Sequence, residues 1–567
     1  MFRFNAPRIH PERSSAPSPL QMKSVSRFKF RARGGLVAVA FSTIGILTLT
    51  AGSRAQSQSL NIKNDEFWDT RDGKPIFSQG GGIFRFKDPK TNTEKFYWYG
   101  VEYEEAVKYR KDPSVTYTRG NRFNAVTCYT STDLVNWESE GEALTREEAH
   151  KNGGPRGWPW IARLGVAHFE DAGKYVMVAQ YGAGILFAVA DQPAGPFEWH
   201  HRKDMTETIG TPNTGDQTVF TDEDTGKSYL VYSYGQGRNR IYISEIGLKG
   251  DKYDLLDCTQ VYKGSGREGN CMFKHKGKYY LAASQLYGWD SSLAYYLVAD
   301  DIRGPYRPEN NMKVIPGVEE DYAHVTQTGF FVTINGSQQD TVLYCGDRWA
   351  AFAGNGLGYN QWVPLSFDGD EPYFNSLNSW DLHVPTGKWR VAEDNNWVRN
   401  ASFEADRKDM PSGNKPKQLF LRGWETEVVK GTEVSLERGS PMLNHANSTE
   451  DRKQVIGERS LNMSDRVEFS RRVHQEITSS PHVEFPDGEY TMTAKVMNSD
   501  GFGKLEMYAK SGGKDFSTAI KGENPKWTTI ELEGVKVSGS KVEIGFLAEG
   551  KGGSFCRVDD VSFVKAR

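Results

Sequence analysis

The chain has 567 residues, with 70 Lys and Arg against 73 Asp and Glu, a formal net charge of −3. That balance argues against an electrostatic nucleic-acid binder, which needs a basic face. A composition of 37% hydrophobic and 25% charged residues excludes a disordered chain and a coiled coil. Aromatic residues make up 12%, with 14 Trp and 26 Tyr beside 58 Gly, which predicts short strands and tight turns over helices.

Residues 1–55 read as a leader. Lys23, Arg27, Lys29, Arg31 and Arg33 precede an apolar run from Leu36 to Leu49, and Ser53-Arg54-Ala55 follows. Basic, apolar and small residues in that order predict a secretory signal cleaved near Ala55, and hence a periplasmic or extracellular protein. The run is near the shortest that spans a bilayer, so an uncleaved anchor is the competing reading. Met22 competes with Met1 as the start. No other span is expected, and no integral membrane contact once the signal is cleaved.

Cys128, Cys258, Cys271, Cys345 and Cys556 are too few for a disulfide scaffold, and none has the CxxC spacing of a zinc site. A Cys258–Cys271 pair and buried free thiols are both compatible with the sequence.

From residue 56 to 394 short aromatic strands recur: Lys95-FYWYG, Lys174-YVMVAQY, Lys227-SYLVYSYG, Lys278-YYLAASQLYG and Thr341-VLYCGDRW. A second element recurs as Val189-ADQPAGPF and Val298-ADDIRGPY, with Tyr129-TSTDLVNWE as a diverged copy. Radial repetition of a four-stranded unit accounts for both and predicts an all-β, five-bladed β-propeller. Repeated β-sandwiches are the structural alternative. From 395 to 567 the strands alternate with period two, as in Gly488-EYTMTAKVMN and Lys541-VEIGFLAEG, which predicts a β-sandwich.

A propeller gathers its blade starts around one channel, so acidic residues at those points are candidates for chemistry. Asp216 in Gly215-DQTVFTDEDTG and Glu268 in Gly266-REGNCMFKHKGKYYL occupy matching points of neighbouring units. Two carboxyls converging there suit glycoside cleavage, which needs an acid of raised pKa to protonate the leaving oxygen. Turn or salt-bridge roles are the bland alternative for each.

Residues from about 75 to 392 resemble glycoside hydrolase family 43, and within it the branch of exo-β-1,3-galactanases and related β-galactosidases. The matching pieces are Gln79-GGGIFRF, FYWYGVE, Cys128-YTSTDLVNWESEG, GDQTVFTDEDTG, REGNCMFKHKGKYYL, Tyr287-GWD, VADDIRGPY and Cys345-GDRW. The resemblance implies Glu268 as general acid and Asp216 as the residue that orients it and adjusts its pKa. One departure stands out. Where typical members carry a base Asp before the first strand, this chain reads Gln79-Gly80-Gly81-Gly82-Ile83. The galactan-cleaving branch lacks that Asp too, and by motif match in His324-VTQTGFFV the resemblance implies Gln327 as the residue that helps position the water. An amide is a poor base, so three readings stay open: Gln327 suffices, Glu102 or another acid serves, or catalysis is lost.

For sugar recognition the resemblance points to Trp289 as a stacking platform. Trp349 and Arg348, beside Asp347, and Glu102 are further substrate-binding candidates, with Trp158 and Trp160 as lining of an outer subsite. His324 is a candidate neighbour of a channel ion, but no catalytic metal is expected. The C-terminal region resembles galactose-binding-like jelly rolls through Asn396-WVRNASFEAD and Arg557-VDDVSFV. That likeness implies a possible sugar-binding module and a structural Ca2+ at Glu404 with Asp559 or Asp560. The whole implies an exported inverting exo-glycosidase acting on terminal β-linked galactose of an oligosaccharide or polysaccharide. The alternatives are an α-L-arabinofuranosidase or β-xylosidase, and a non-catalytic glycan-binding protein. No nucleic-acid partner is expected.

Overall fold

The computed structural model describes residues 61–116, 122–152, 161–350, 355–405, 421–435, 443–455 and 457–567. The leader, Trp158 and Trp160 lie outside them. The described chain is all-β apart from short helical turns. No described helix is long and apolar enough to cross a membrane.

Five antiparallel sheets follow one another, each built from strands consecutive in sequence. Their first strands are Gln79–Lys87, Ile161–Phe169, Thr214–Asp222, Glu268–His275 and Gln327–Asn335. These lie side by side in chain order, and the fifth returns to the first, so they enclose a common axis. The recurrent aromatic runs are the second strands: Glu94–Tyr103, Lys174–Tyr181, Lys227–Tyr234, Lys278–Ser284 and Asp340–Ala350. They read as continuous apolar runs because both faces of each sheet are covered, as at Tyr97, Trp98 and Tyr99, all 2% exposed or less. The repeated V-A-D elements end the third strands Ile185–Ala190 and Ala294–Ala299. Strand Asn61–Lys63 pairs with Ser379–His383, which tethers the start of the described chain beyond the fifth sheet.

The remaining residues build two further five-stranded antiparallel sheets. Strand Gly488–Asn498 buries every second residue, and Val473, Met492, Val496, Ile544, Phe546 and Phe563 from both sheets share one core. Trp397 packs on that core and also on the cluster around Trp98 and Trp362, which Val483 joins from the C-terminal side. Arg452 donates to the Ser114 carbonyl at 3.1 Å and to Thr116 Oγ1 at 2.6 Å. Both sets of sheets accordingly belong to one compact unit. All five cysteines are free thiols, so the Cys258–Cys271 pair is not formed; four are buried as the other reading had it, and Cys258 is exposed.

Candidate active site

Each of the five first strands breaks register near its start. The breaks fall between Gln79 and Gly82, Ala162 and Leu164, Thr214 and Gln217, Glu268 and Cys271, and Thr328 and Phe330. Such bulges re-aim the side chains beside them, and these ends carry Asp216, Glu268 and Gln327. Glycine serves the bulge in the first and fourth sheets, where Gly80 and Gly269 have φ of +67° and +62°. A Cβ on Gly269 would stand 2.4 Å from the Thr328 carbonyl oxygen, so only glycine lets the fourth and fifth strands meet there.

Glu268 is 7% exposed, and its Oε1 is buried without a hydrogen-bond partner. Its Oε2 lies 3.8 Å from Arg238 Nε. Burial, then the charge of Asp216, push the Glu268 carboxyl up to about 8 against the pull of Arg238 and Arg163. A carboxyl that keeps its proton at neutral pH is able to donate it. Asp216 accepts from the Gly269 backbone N–H at 2.8 Å and lies 3.5 Å from Arg163 Nε and 3.7 Å from Arg238 Nη2. The structure thus brings together the two acids expected from sequence.

Gln327 is 4% exposed, and its Oε1 accepts from Arg163 Nη2 at 2.6 Å. Asp347, its partner across the ladder, accepts from Arg163 Nη1 and from the Gly80 backbone N–H at 2.9 Å. Burial pushes the Asp347 carboxyl up, opposed by Arg163. Arg163 is therefore a hub, 3% exposed, with its guanidinium carbon 5.5 Å from the Trp349 ring centroid. Sequence reading missed it. The available signal was a lone cation near the start of the otherwise apolar strand IARLGVAHF. Gln79 turns elsewhere, its Nε2 donating to the Tyr359 carbonyl at 3.0 Å.

The residues before Gln327 form a left-handed turn. Tyr322, Ala323, His324 and Val325 have φ of +51° to +58°, a conformation costing about 1–2 kcal/mol per residue for non-glycine residues. Asp321 offsets part of that cost: its carbonyl accepts from Val325 N at 2.8 Å and its Oδ1 from His324 N at 3.0 Å. Tyr287 packs edge-on against Tyr322 at 6.1 Å, and the Arg422 guanidinium lies over Tyr322 at 4.5 Å. His324 engages Asp65 with Nε2 at 2.9 Å and Ser376 with Nδ1 at 2.8 Å, so both ring nitrogens are taken.

Trp289 is half-buried and meets Trp349 edge-on, with ring centroids 5.2 Å apart. Trp349 is 5% exposed and forms wall more than platform. Arg348 is engaged with Asp65, donating from Nη1 at 2.8 Å, and stacks on Tyr359 at 5.1 Å. Glu102 lies on the second strand of the first sheet, hydrogen-bonded by Asn124; burial raises its carboxyl. The opposite ends of the first strands open on a cavity of about 420 Å³, lined by Arg85, Thr218, Glu223, Lys274 and Asn335. At its wall Arg85 pairs with Glu223 and Lys274 with Asp224, and it holds none of the acids described above.

In the C-terminal sheets, Glu404 Oε1 accepts from the backbone N–H groups of Glu458 and Arg459 at 2.7 and 2.6 Å. Asp559 is fully buried, and burial followed by the charges of Asp560 and Glu404 push its carboxyl well up. Its Oδ2 accepts from Asn447 Nδ2 at 3.2 Å and its Oδ1 from the Asp560 backbone N–H at 2.9 Å. Among the described residues no group of three or more His, Cys, Asp or Glu is placed to hold a metal.

Residues 104–358 match the family model "Glycosyl hydrolases family 43". A curated relative, an arabinoxylan arabinofuranohydrolase of Paenibacillus polymyxa, is 26% identical over 231 residues, 35% of each protein. The match thus spans about a third of that relative's length. A crystal structure of an exo-β-1,3-galactanase of Phanerochaete chrysosporium with β-1,3-galactotriose is 19% identical with a TM-score of 0.51. It covers 89% of this chain and 100% of its own. The same galactanase with galactose gives 19% and 0.50, covering 88% and 100%. At that identity the two crystal structures speak for the fold. The family match, with an acid of raised pKa and its carboxylate neighbour inside its bounds, makes residues 104–358 a glycosyl hydrolase family 43 domain.

Proposed function

We propose that the chain is an exported, inverting exo-glycosidase that removes terminal β-linked galactose from β-1,3-galactan or arabinogalactan. The carrying observation is the pairing of Glu268, protonated at neutral pH, with Asp216, beside a buried amide, Gln327. The fold shared with a galactanase that binds β-1,3-galactotriose supports the galactose assignment. In this reading the five sheets are blades of a propeller over 56–394. Residues 395–567 are a jelly-roll sandwich, and the leader is removed near Ala55.

Glu268 gives its proton to the glycosidic oxygen as the bond to the anomeric carbon breaks and its electron pair stays on that oxygen. Water adds to the anomeric carbon from the opposite face, which inverts it. The surplus proton of that water passes to solvent, from which Glu268 is recharged. Gln327 lines the side where the water is held, and Trp289 receives the apolar face of the sugar. NMR of the first product formed from β-1,3-galactobiose tests this. The α-anomer is expected from wild type, with a rate loss of at least a thousandfold in Glu268→Gln. A β-anomer or undiminished turnover overturns the assignment.

The arabinofuranohydrolase match favours a second reading, an α-L-arabinofuranosidase, which release of arabinose in an aryl-glycoside screen would establish. By donor type, Glu404 with Asp559 or Asp560 is where the reading puts a structural Ca2+. Added Ca2+ is then expected to raise the Tm; an unchanged Tm removes the ion from the proposal.

A further inference from the structure

The charged hub at the bulge of the second sheet decides which end of the Gln327 amide faces a ligand. An arginine has five N–H donors and no acceptor. The atom of Gln327 that lies 2.6 Å from Arg163 Nη2 must therefore be the carbonyl oxygen, Oε1. An amide's oxygen and nitrogen diverge from one carbon, so Nε2 points away from Arg163. The Gln327 side chain lies alongside Gly269, its Cγ 3.4 Å from where a Cβ there would be, and hence next to Glu268. The other guanidinium arm is held by Asp347, which the Gly80 N–H anchors, and Trp349 covers the group. Arg163, Gln327 and Asp347 are all buried.

The backbone marks this arginine as a demanding choice. The corresponding bulges of the first and fourth sheets use glycine at positive φ, whereas Arg163 holds φ +40° as a non-glycine residue. Strain of about 1–3 kcal/mol at such a position persists where the side chain is needed.

We propose that Arg163 is a positioning residue that locks the Gln327 amide with its oxygen inward, so that Gln327 meets the substrate or the attacking water only as a hydrogen-bond donor. This rests on the glycosidase reading above. It goes further in assigning Gln327 no share in accepting the proton of water. The imidic tautomer that would let an amide act as base places O–H where Arg163 already presents N–H.

Three variants separate the possibilities. Gln327→Glu keeps the size and the contact with Arg163 but cannot donate. Turnover of β-1,3-galactobiose is expected to fall at least tenfold, and affinity for it by a similar factor in a Glu268→Gln background. A base or acceptor role predicts the reverse, wild-type or higher activity, and that result overturns the proposal. Arg163→Lys keeps the charge but loses the fork, and a tenfold or larger loss with an unmoved pH profile is expected. Arg163→Met also removes the charge. Glu268 is faced by Asp216, Arg238 and Arg163, and Arg163 is one of the two cations that hold its carboxyl down. The alkaline limb should then shift to higher pH in Arg163→Met alone. Equal losses in both variants with no shift in either reduce Arg163 to a structural role and overturn the proposal. A wild-type chain that neither binds nor hydrolyses any galactoside overturns the functional reading, and the clamp's role with it. Wild-type turnover matched by Gln327→Glu overturns the clamp alone.

Discussion

The carboxylate of Asp216 accepts a hydrogen bond of 2.8 Å from the backbone N–H of Gly269, the residue that follows Glu268. Two neighbouring sheets are thereby joined at the point where the acid emerges, and a negative charge is fixed beside a buried carboxyl. The charge raises the Glu268 pKa; the hydrogen bond sets where the carboxyl stands.

The pH dependence follows with a definite sign. If Glu268 works as the protonated acid, as proposed, kcat should fall as pH rises through about 8. Replacing Asp216 by Asn removes the like charge that pushes Glu268 up. The alkaline limb should then move to lower pH, measured as kcat against pH on an aryl galactoside. A limb that stays or moves up contradicts the assignment.

Trp289 and Trp349 touch but should respond differently to truncation. Trp289 is half-buried, and Trp289→Ala is expected to raise KM about tenfold, on the order of 1 kcal/mol, with kcat little changed. Trp349 is 5% exposed, and Trp349→Ala should cost about 3–5 kcal/mol of stability by chemical denaturation.

The left-handed turn before Gln327 depends on Asp321. Its Oδ1 accepts from the His324 N–H, and its Oδ2 accepts from the Ser376 hydroxyl. Asp321→Ala should lower stability by about 2 kcal/mol and reduce kcat, because the turn sets where Gln327 begins its strand. Asp321→Asn, which keeps one acceptor, should recover part of both.

The C-terminal sheets brace the first five. Trp397 and Val483 pack into the cluster of Trp98 and Trp362, and Arg399 donates to the Ser376 carbonyl. A chain ending at residue 395 should be recovered mainly as insoluble protein. Soluble protein of full activity after this truncation would instead make the region an independent module. Activity and retention on insoluble galactan, measured together, decide the matter.

The five aromatic runs were legible as strands, and each proves to be the second strand of its sheet, because a continuous apolar run between turn residues records burial on both faces. Asp216 and Glu268 were legible through matching positions in repeated units, and the absence of an acid near Gln79 could be read directly. Arg348 shows where the reading stops. Its neighbours in the chain suggested sugar recognition, yet the fold pairs it with Asp65, 283 residues away.

Local sequence determined the strands, their order and the two acids, since hydrophobic period and turn chemistry act over a few residues. Only the tertiary structure decided that Arg163 reaches Asp347, 184 residues on, and turns the Gln327 amide. Closing a ring of sheets brings together strand starts from all parts of the chain. The bulge that aims each side chain depends on the neighbouring sheet as much as on its own residues.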